Sequence, residues 1–384
     1  MATFPSNKRI YLSTPEFSGK ELEYIEKAFR AKQVATHGAF IQEFEGRIRE
    51  KFGAEDVVAL NSGTSAIHMA LVLLGVKEGD EVICQTLTFV ASANPIVYLG
   101  GKPVFVDSER ETWNISPQFL EEAILDRIRK GKVPKAIIVV NLFGMPAKTR
   151  EILEVAGRYG IPVLEDAAES IGSNIGGKYC GTFGDIGVFS FNGNKVMTTG
   201  GGGVMMTTNL NWSRKARHLS TQAKDNFPYY HHSEIGYNYK MNNITAGIGL
   251  AQLETLEEKI RKRRRNFDYY KATLTKNQGI SFLEEPVGSF SNRWLTTILI
   301  DSELASLTRD LVMERMEENN IESRPVWKPM HLQPIFQQNP YYGEGVAADL
   351  FSKGLCLPSG GALQREDLDR VIECVTPFYG EMYG

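Results

Sequence analysis

The sequence predicts an α/β fold: a mostly parallel seven-stranded sheet with helices on both faces, followed by a smaller C-terminal α+β domain. Three observations predict it. Short apolar runs alternate with helix-patterned segments through the first two-thirds of the chain. The runs are continuously apolar, as strands buried on both faces are. Near residue 250 this alternation stops and the texture changes.

Taken in order, "DVVAL" (56–60), "DEVICQ" (80–85), "KPVFVD" (102–107), "KAIIVVN" (135–141) and "IPVLED" (161–166) read as buried strands. "GDIGVFSF" (184–191) and "GGGVMMTT" (201–208) add two more. Between the first five come "SAIHMALVLLGV", "SANPIVYLGG", "SPQFLEEAILDRIRKG" and "KTREILEVAGRYG". In the last two, apolar residues recur at spacings of three and four, the mark of an amphipathic helix. Strands and helices in this alternation form a parallel sheet covered on both faces. A large domain over residues 1–250, N-terminal segment included, and a small one over 251–384 are expected. The second opens with "AQLETLEEKIRKRRRNFDYYKATL", which reads as one long amphipathic helix. Its basic run "KIRKRRR" (259–265) follows "ETLEEK", so it reads as the solvated face of a helix with charge blocks and not as a nucleic-acid patch.

Composition narrows the function. Of 384 residues 42% are hydrophobic, enough for a substantial core and too many for a disordered chain. A formal net charge of −3 gives no electrostatic reason to expect nucleic acid or an anionic membrane. Cys84, Cys180, Cys356 and Cys374 lie far apart and form no C-x-x-C pair, which suits a reducing compartment. "MATFPSNKRI" lacks the apolar stretch of a signal peptide, and no run is long enough to span a bilayer. A cytoplasmic globular protein is expected.

Three segments could carry chemistry. In "LNSGTSAIHMALVLLG" a strand gives way to Ser62-Gly63-Thr64-Ser65 and then a helix. Free N–H groups at a helix N-terminus beside hydroxyls suit a phosphate, although an ordinary Ser/Thr cap has the same text. "IPVLEDAAES" sets Glu165 and Asp166 at the carboxyl end of a strand, where open α/β sheets form their ligand crevice; Asp166 could equally cap the next segment. "FSFNGNKVMTTGGGG" surrounds Lys195 with small residues but lacks the G-x-x-x-x-G-K-[ST] spacing of a nucleotide-binding P-loop. The glycines at 200–203 allow close backbone approach on the way into the next strand. A phosphate cradle, a strand-end carboxylate and a lysine 29 residues after it are together the parts that pyridoxal 5′-phosphate needs. The carboxylate keeps the ring nitrogen protonated, and the lysine forms a Schiff base. Adjacent His231 and His232 would point to opposite sides of a strand, so no metal site is expected.

At this point the sequence resembles the DegT/DnrJ/EryC1/StrS sugar aminotransferases. The resemblance covers nearly the whole chain through "NSGTSAIH", "TFVASANPIVYLGGKPVFVD", "EDAAES", "GTFGDIGVFSFNGNKVMTTGGGG", "IGYNYKMNNITAGIGLAQLE", "RPVWKPMHLQP" and "CLPSG". It implies the aspartate aminotransferase (type I) fold, pyridoxal phosphate as cofactor and a homodimer with its active site at the subunit interface. "FSFNGNK" and "SRPVWKPMHLQ" are most similar to the UDP-4-keto-6-deoxy-N-acetylhexosamine 4-aminotransferases of the bacillosamine type.

By this resemblance Lys195 is the catalytic residue and Asp166 pairs with the ring nitrogen. Gly63, Thr64 and Ser190 bind the phosphate, with Asn238 reaching it from the neighbouring subunit. Phe89 stacks on the ring, unless it is a core residue, and Glu169 lies near the ring hydroxyl. Lys32, Gln33, Val34 and Ala35 of "KQVATHG", with Trp327, Lys328 and His331, touch the nucleotide sugar. For His331 an ordinary surface role in a proline-rich loop is an equal alternative.

The reaction so implied is a ping-pong transamination from L-glutamate to a nucleotide-linked 4-keto-6-deoxy sugar. Its rivals are a dTDP- or GDP-linked 3-keto-sugar aminotransferase and a non-catalytic sensor of pyridoxal phosphate or a nucleotide sugar. A sugar-dehydrating branch of the family carries histidine at the lysine position, so Lys195 argues against it.

Overall fold

The computed structural model describes residues 8–376. The strands are β1 (Asp56–Leu60), β2 (Glu81–Gln85), β3 (Lys102–Val106), β4 (Ala136–Val140), β5 (Val163–Asp166), β6 (Asn174–Ile175), β7 (Lys178–Tyr179), β8 (Ile186–Ser190) and β9 (Gly203–Thr207). After them come β10 (Ile280–Phe282), β11 (Ser289–Phe290), β12 (Thr296–Ile300), β13 (Arg324–Pro325), β14 (Tyr341–Tyr342) and β15 (Gly354–Leu357). The first nine helices are α1 (Glu21–Arg30), α2 (Ala39–Phe52), α3 (Gly63–Leu73), α4 (Asn94–Tyr98), α5 (Pro117–Arg129), α6 (Thr149–Tyr159), α7 (Leu210–Leu219), α8 (Asn243–Glu254) and α9 (Leu256–Leu274). Later come α10 (Ser302–Ala305), α11 (Arg309–Glu318), α12 (Val346–Lys353) and α13 (Arg365–Val375).

The large sheet runs β1-β9-β8-β5-β4-β2-β3-β14. Pairing is parallel from β14 through β8, and only β9 runs against its neighbours β8 and β1. The seven expected strands are all present. An eighth, the two-residue β14, comes from the C-terminal third and lies parallel to β3. Successive residues point to opposite faces and both faces are buried. Ile83 and Ile137 pack under α5 and α6, while Cys84 and Ile138 pack with α3. That is why these strands are apolar throughout.

A second, antiparallel sheet, β10-β12-β15-β13, packs with α9, α11 and α13. Residue 250, the expected domain boundary, falls inside α8. The long helix expected over 251–274 is instead broken at Thr255 (φ −108°, ψ 8°). α8 packs against α1 and α2, while α9 begins in the same core with Leu256 and Ile260 and ends on the second sheet with Phe267, Tyr270 and Leu274. The basic run also departs from expectation. Lys259 and Arg263, one turn apart on α9, are only 2% and 1% exposed. They lie on the face that α9 turns inward, because an i, i+4 pair shares one side of a helix.

Candidate active site

The carboxyl ends of β1, β2, β5 and β8 converge on one side of the large sheet. Ser62 follows β1 and caps α3. Its hydroxyl accepts from the N–H of Ser65 at 3.0 Å, and its own N–H donates to Ser65 Oγ at 3.1 Å. The N–H groups of Gly63 and Thr64, in the first turn, find no acceptor among the described residues, as helix geometry requires. Only small residues fit around them. A Cβ on Gly63 would come 2.8 Å from Ser190 Cβ, and one on Gly203 would come 2.7 Å from the Gly63 nitrogen. The expected close-approach turn at 200–203 is therefore seated against the start of α3. Two free N–H groups, the helix dipole and the Ser190 hydroxyl make an anion cradle.

The two acidic residues ending β5 part company because the pleat alternates. Glu165 turns into the protein and accepts from the N–H groups of Gly181 (3.0 Å), Phe183 (2.8 Å) and Gly184 (3.2 Å). It shapes the loop leading into β8. Asp166 faces the cavity, 5% exposed, where Oδ2 accepts from Ser92 Oγ at 2.7 Å and Oδ1 from the Ala168 N–H at 3.2 Å. Burial pushes its pKa up, while the Ser92 bond, the Ala168 bond and the charge of Lys195 pull it down. Such a carboxylate suits a cation brought in by a ligand. Glu169 is also buried, accepts from the Phe143 N–H at 2.7 Å, and is likewise raised by burial, with Lys195 opposing.

Lys195 sits in the loop after β8, its side chain 12% exposed. Nζ lies 3.5 Å from Glu169 Oε1 and 3.9 Å from the centroid of the Trp294 ring. Phe89 and Trp327 face each other at 5.9 Å beside it, and Phe143 lies 5.6 Å from Trp327. The Trp327 Nε1 is buried with no acceptor among the described residues.

Gly63, Thr64, Phe89, Asp166, Glu169, Ser190 and Lys195 line one cavity of about 290 Å³. Trp327 lines it too. Asn238 does not; it is exposed, its carbonyl accepting from Asn61 Nδ2 at 3.0 Å. Lys32, Gln33, Val34 and Ala35 also lie outside the cavity. That segment is held by Asn243, whose Nδ2 donates to the Gln33 carbonyl at 2.9 Å and whose N–H donates to that of Ala35 at 2.8 Å. Lys328 is exposed. His331 is half-buried away from the cavity, stacked on Tyr341 at 3.9 Å, with Nδ1 2.7 Å from Thr86 Oγ1.

His231 and His232 stand in irregular backbone, not in a strand. Their Nδ1 atoms pair with Asp225 and with the Gln222 carbonyl. Among the described residues no cluster of histidine, cysteine and acidic side chains could hold a metal.

Sequence reasoning did not single out Ser92, Phe143 or Trp294. Ser92 stands within the quoted "TFVASANPIV", three residues after Phe89, and could have been found as its neighbour across one helical turn. Trp294 comes from a distant segment with no periodic signal.

The donor set fits pyridoxal phosphate: a cradle for its phosphate, a buried carboxylate for its ring nitrogen and an amine for its aldehyde. Residues 15–376 match the DegT/DnrJ/EryC1/StrS aminotransferase family. EpsN of Bacillus subtilis (strain 168), whose name describes a pyridoxal phosphate-dependent aminotransferase, is 48% identical over 96% of this chain and 95% of its own. GDP-perosamine synthase of Escherichia coli O157:H7 is 37% identical over 97% of this chain and 100% of its own. The crystal structure of a DegT DnrJ EryC1 StrS aminotransferase from Brucella abortus superposes with a TM-score of 0.87 at 31% identity, over 93% of this chain and 94% of that one.

Proposed function

Since the chain belongs to the DegT/DnrJ/EryC1/StrS aminotransferase family and is a pyridoxal phosphate-dependent sugar aminotransferase, we propose that it aminates a nucleotide-linked 4-keto-6-deoxy sugar. L-Glutamate is the amino donor, and UDP-4-keto-6-deoxy-N-acetylglucosamine is the acceptor we favour. The observation that supports the cofactor chemistry is one cavity holding an anion cradle, a buried carboxylate and Lys195, while the choice of acceptor rests on the likeness of "FSFNGNK" and "SRPVWKPMHLQ".

Pyridoxal phosphate, when bound, supplies an electron sink that makes the bond to the α-hydrogen labile. The residues of the chain do the rest. Gly63, Thr64 and Ser190 bind the phosphate, and Asp166 holds a positive charge on the ring nitrogen. Lys195 anchors the cofactor; once free, its Nζ takes the α-proton of glutamate and in the second half-reaction returns a proton. Glu169 and Trp294 keep that nitrogen in place. Phe89 covers the ring, and Trp327 limits water at the mouth. Residues 32–35, Trp327, Lys328 and His331 contact the nucleotide sugar. Exposed Asn238 reaches the phosphate of a second copy, making the working unit a homodimer. Four free, buried thiols support a cytoplasmic setting.

The relative named GDP-perosamine synthase favours a second reading of the nucleotide, GDP in place of UDP. The test is incubation with glutamate and a panel of UDP-, GDP- and dTDP-linked 4-keto and 3-keto sugars, followed by identification of the product. A 4-amino sugar and 2-oxoglutarate are expected, and Lys195→Ala should abolish both together with the lysine-linked absorbance of the cofactor. A 3-amino product would overturn the position of amination. Binding without any 2-oxoglutarate would point to a sensor.

A further inference from the structure

The loop that carries Lys195 is held from beneath at both ends. At one end the Asn194 carbonyl, directly before Lys195, accepts from Trp294 Nε1 at 2.7 Å and from Ser13 Oγ at 2.8 Å. Both donors are gripped by one guanidinium. Arg263 donates from Nη1 to the Trp294 carbonyl at 2.8 Å and from Nη2 to Ser13 Oγ at 3.1 Å. At the other end the Thr198 N–H donates to Gln252 Oε1 at 3.3 Å, and the Lys259 ammonium donates to the same oxygen. The Gln252 Nε2 in turn donates to the Glu16 carbonyl at 2.7 Å and to Glu21 Oε1 at 2.6 Å.

Both cations are costly to bury. Burial pushes Lys259 down to about 8 and Arg263 down to about 10, with the charge of Glu16 opposing the shift in each. Arg263 Nε has no acceptor among the described residues. A well-packed apolar pair would cost less. Here each charge is tied by hydrogen bonds to fixed partners, Arg263 to the Trp294 carbonyl and Ser13, Lys259 to Gln252. What they hold is the backbone on each side of Lys195.

We infer that Arg263 is a positioning residue for Lys195, acting through Ser13 and Trp294. Through this one inward-facing member, the basic run of α9 supports the active site from behind. The inference rests on Lys195 being the residue that anchors the cofactor.

The experiment compares Ser13→Ala and Arg263→Lys with the parent and with Arg261→Met, a change on the exposed face of α9. Pyridoxal phosphate is added to cofactor-free protein, and the rate at which the lysine-linked absorbance appears is recorded. Binding of pyridoxamine phosphate, which forms no bond to lysine, is measured beside it. Ser13→Ala should slow capture about fivefold, the equivalent of one hydrogen bond. Arg263→Lys, which cannot span both acceptors, should slow it on the order of tenfold or more. Pyridoxamine phosphate affinity should stay at the parent value in both, and Arg261→Met should match the parent throughout. Unchanged capture rates overturn the inference, as does a parallel loss of capture and pyridoxamine phosphate binding. Should Arg263→Lys fail to fold, Ser13→Ala decides alone. Borohydride reduction and peptide mass identify the labelled lysine. A label away from Lys195 overturns the proposed role of Lys195 itself, and is thereby distinguished from failure of the clamp.

Discussion

Ser92 Oγ donates a 2.7 Å hydrogen bond to Asp166 Oδ2, joining the turn after β2 to the end of β5. Burial raises the pKa of Asp166 overall, and this bond is the largest of the influences that oppose the rise. Ser92 also lines the cavity and so stands among the residues that would surround the cofactor.

Ser92→Ala should weaken cofactor binding by about tenfold, the worth of a hydrogen bond to a charged group. The check is a spectroscopic titration of cofactor-free protein with pyridoxal phosphate. An affinity equal to that of the parent would contradict the role given to Ser92.

Asp166→Asn should separate stability from function. Burial raises the pKa of Asp166, so the folded chain keeps a proton that the unfolded chain has released. Stability of the cofactor-free protein therefore falls as pH rises from the ordinary carboxylate range through the raised folded value. Without cofactor the variant should melt higher than the parent at about pH 8, and the gap should close as pH falls towards about 4. Excess pyridoxal phosphate should reverse the order, because asparagine offers no charge to the ring nitrogen. Thermal unfolding with and without cofactor across this range is the measurement.

Glu165→Leu should do the opposite of its neighbour's substitution and damage the fold. Three backbone N–H groups, at Gly181, Phe183 and Gly184, would lose their acceptor inside the protein. A loss of roughly 3 kcal/mol or more is expected in denaturant unfolding, on the scale of buried donors left without partners.

Gly203→Ala tests the cradle. Its new methyl would stand 2.7 Å from the Gly63 nitrogen and 2.8 Å from the Phe189 carbonyl, backbone atoms that cannot swing aside. A stability loss of about 1–3 kcal/mol is expected, with weaker binding of both pyridoxal phosphate and inorganic phosphate. Phosphate competition against the cofactor reads the second effect.

Seven strands of the large sheet were legible because each is a mainly apolar run, and burial on both faces leaves that mark; the strands of the other two sheets were not singled out. The central site was legible because its parts sit in short stretches: Ser62–Thr64 open a helix, Asp166 ends β5, and Ser190 ends β8 just before the loop that carries Lys195. The underside of the site was not legible. A basic run in a helix has the same text whether it faces water or a distant carbonyl, and the partners of Arg263 lie 250 and 31 residues away. Trp294 was silent for the same reason. The break at Thr255 has no proline or glycine to announce it, and β14 is too short to show alternation.

The return of the chain at Tyr341–Tyr342 to lie beside β3 bears on how this protein can be taken apart. A cut near residue 250 would leave the large sheet short of its edge strand and bare the unpaired rim of β3, an invitation to self-association. The downstream fragment would carry Trp327 away from the cavity it walls. A cut there would therefore cost one fragment a sheet edge and the other its place beside the cavity.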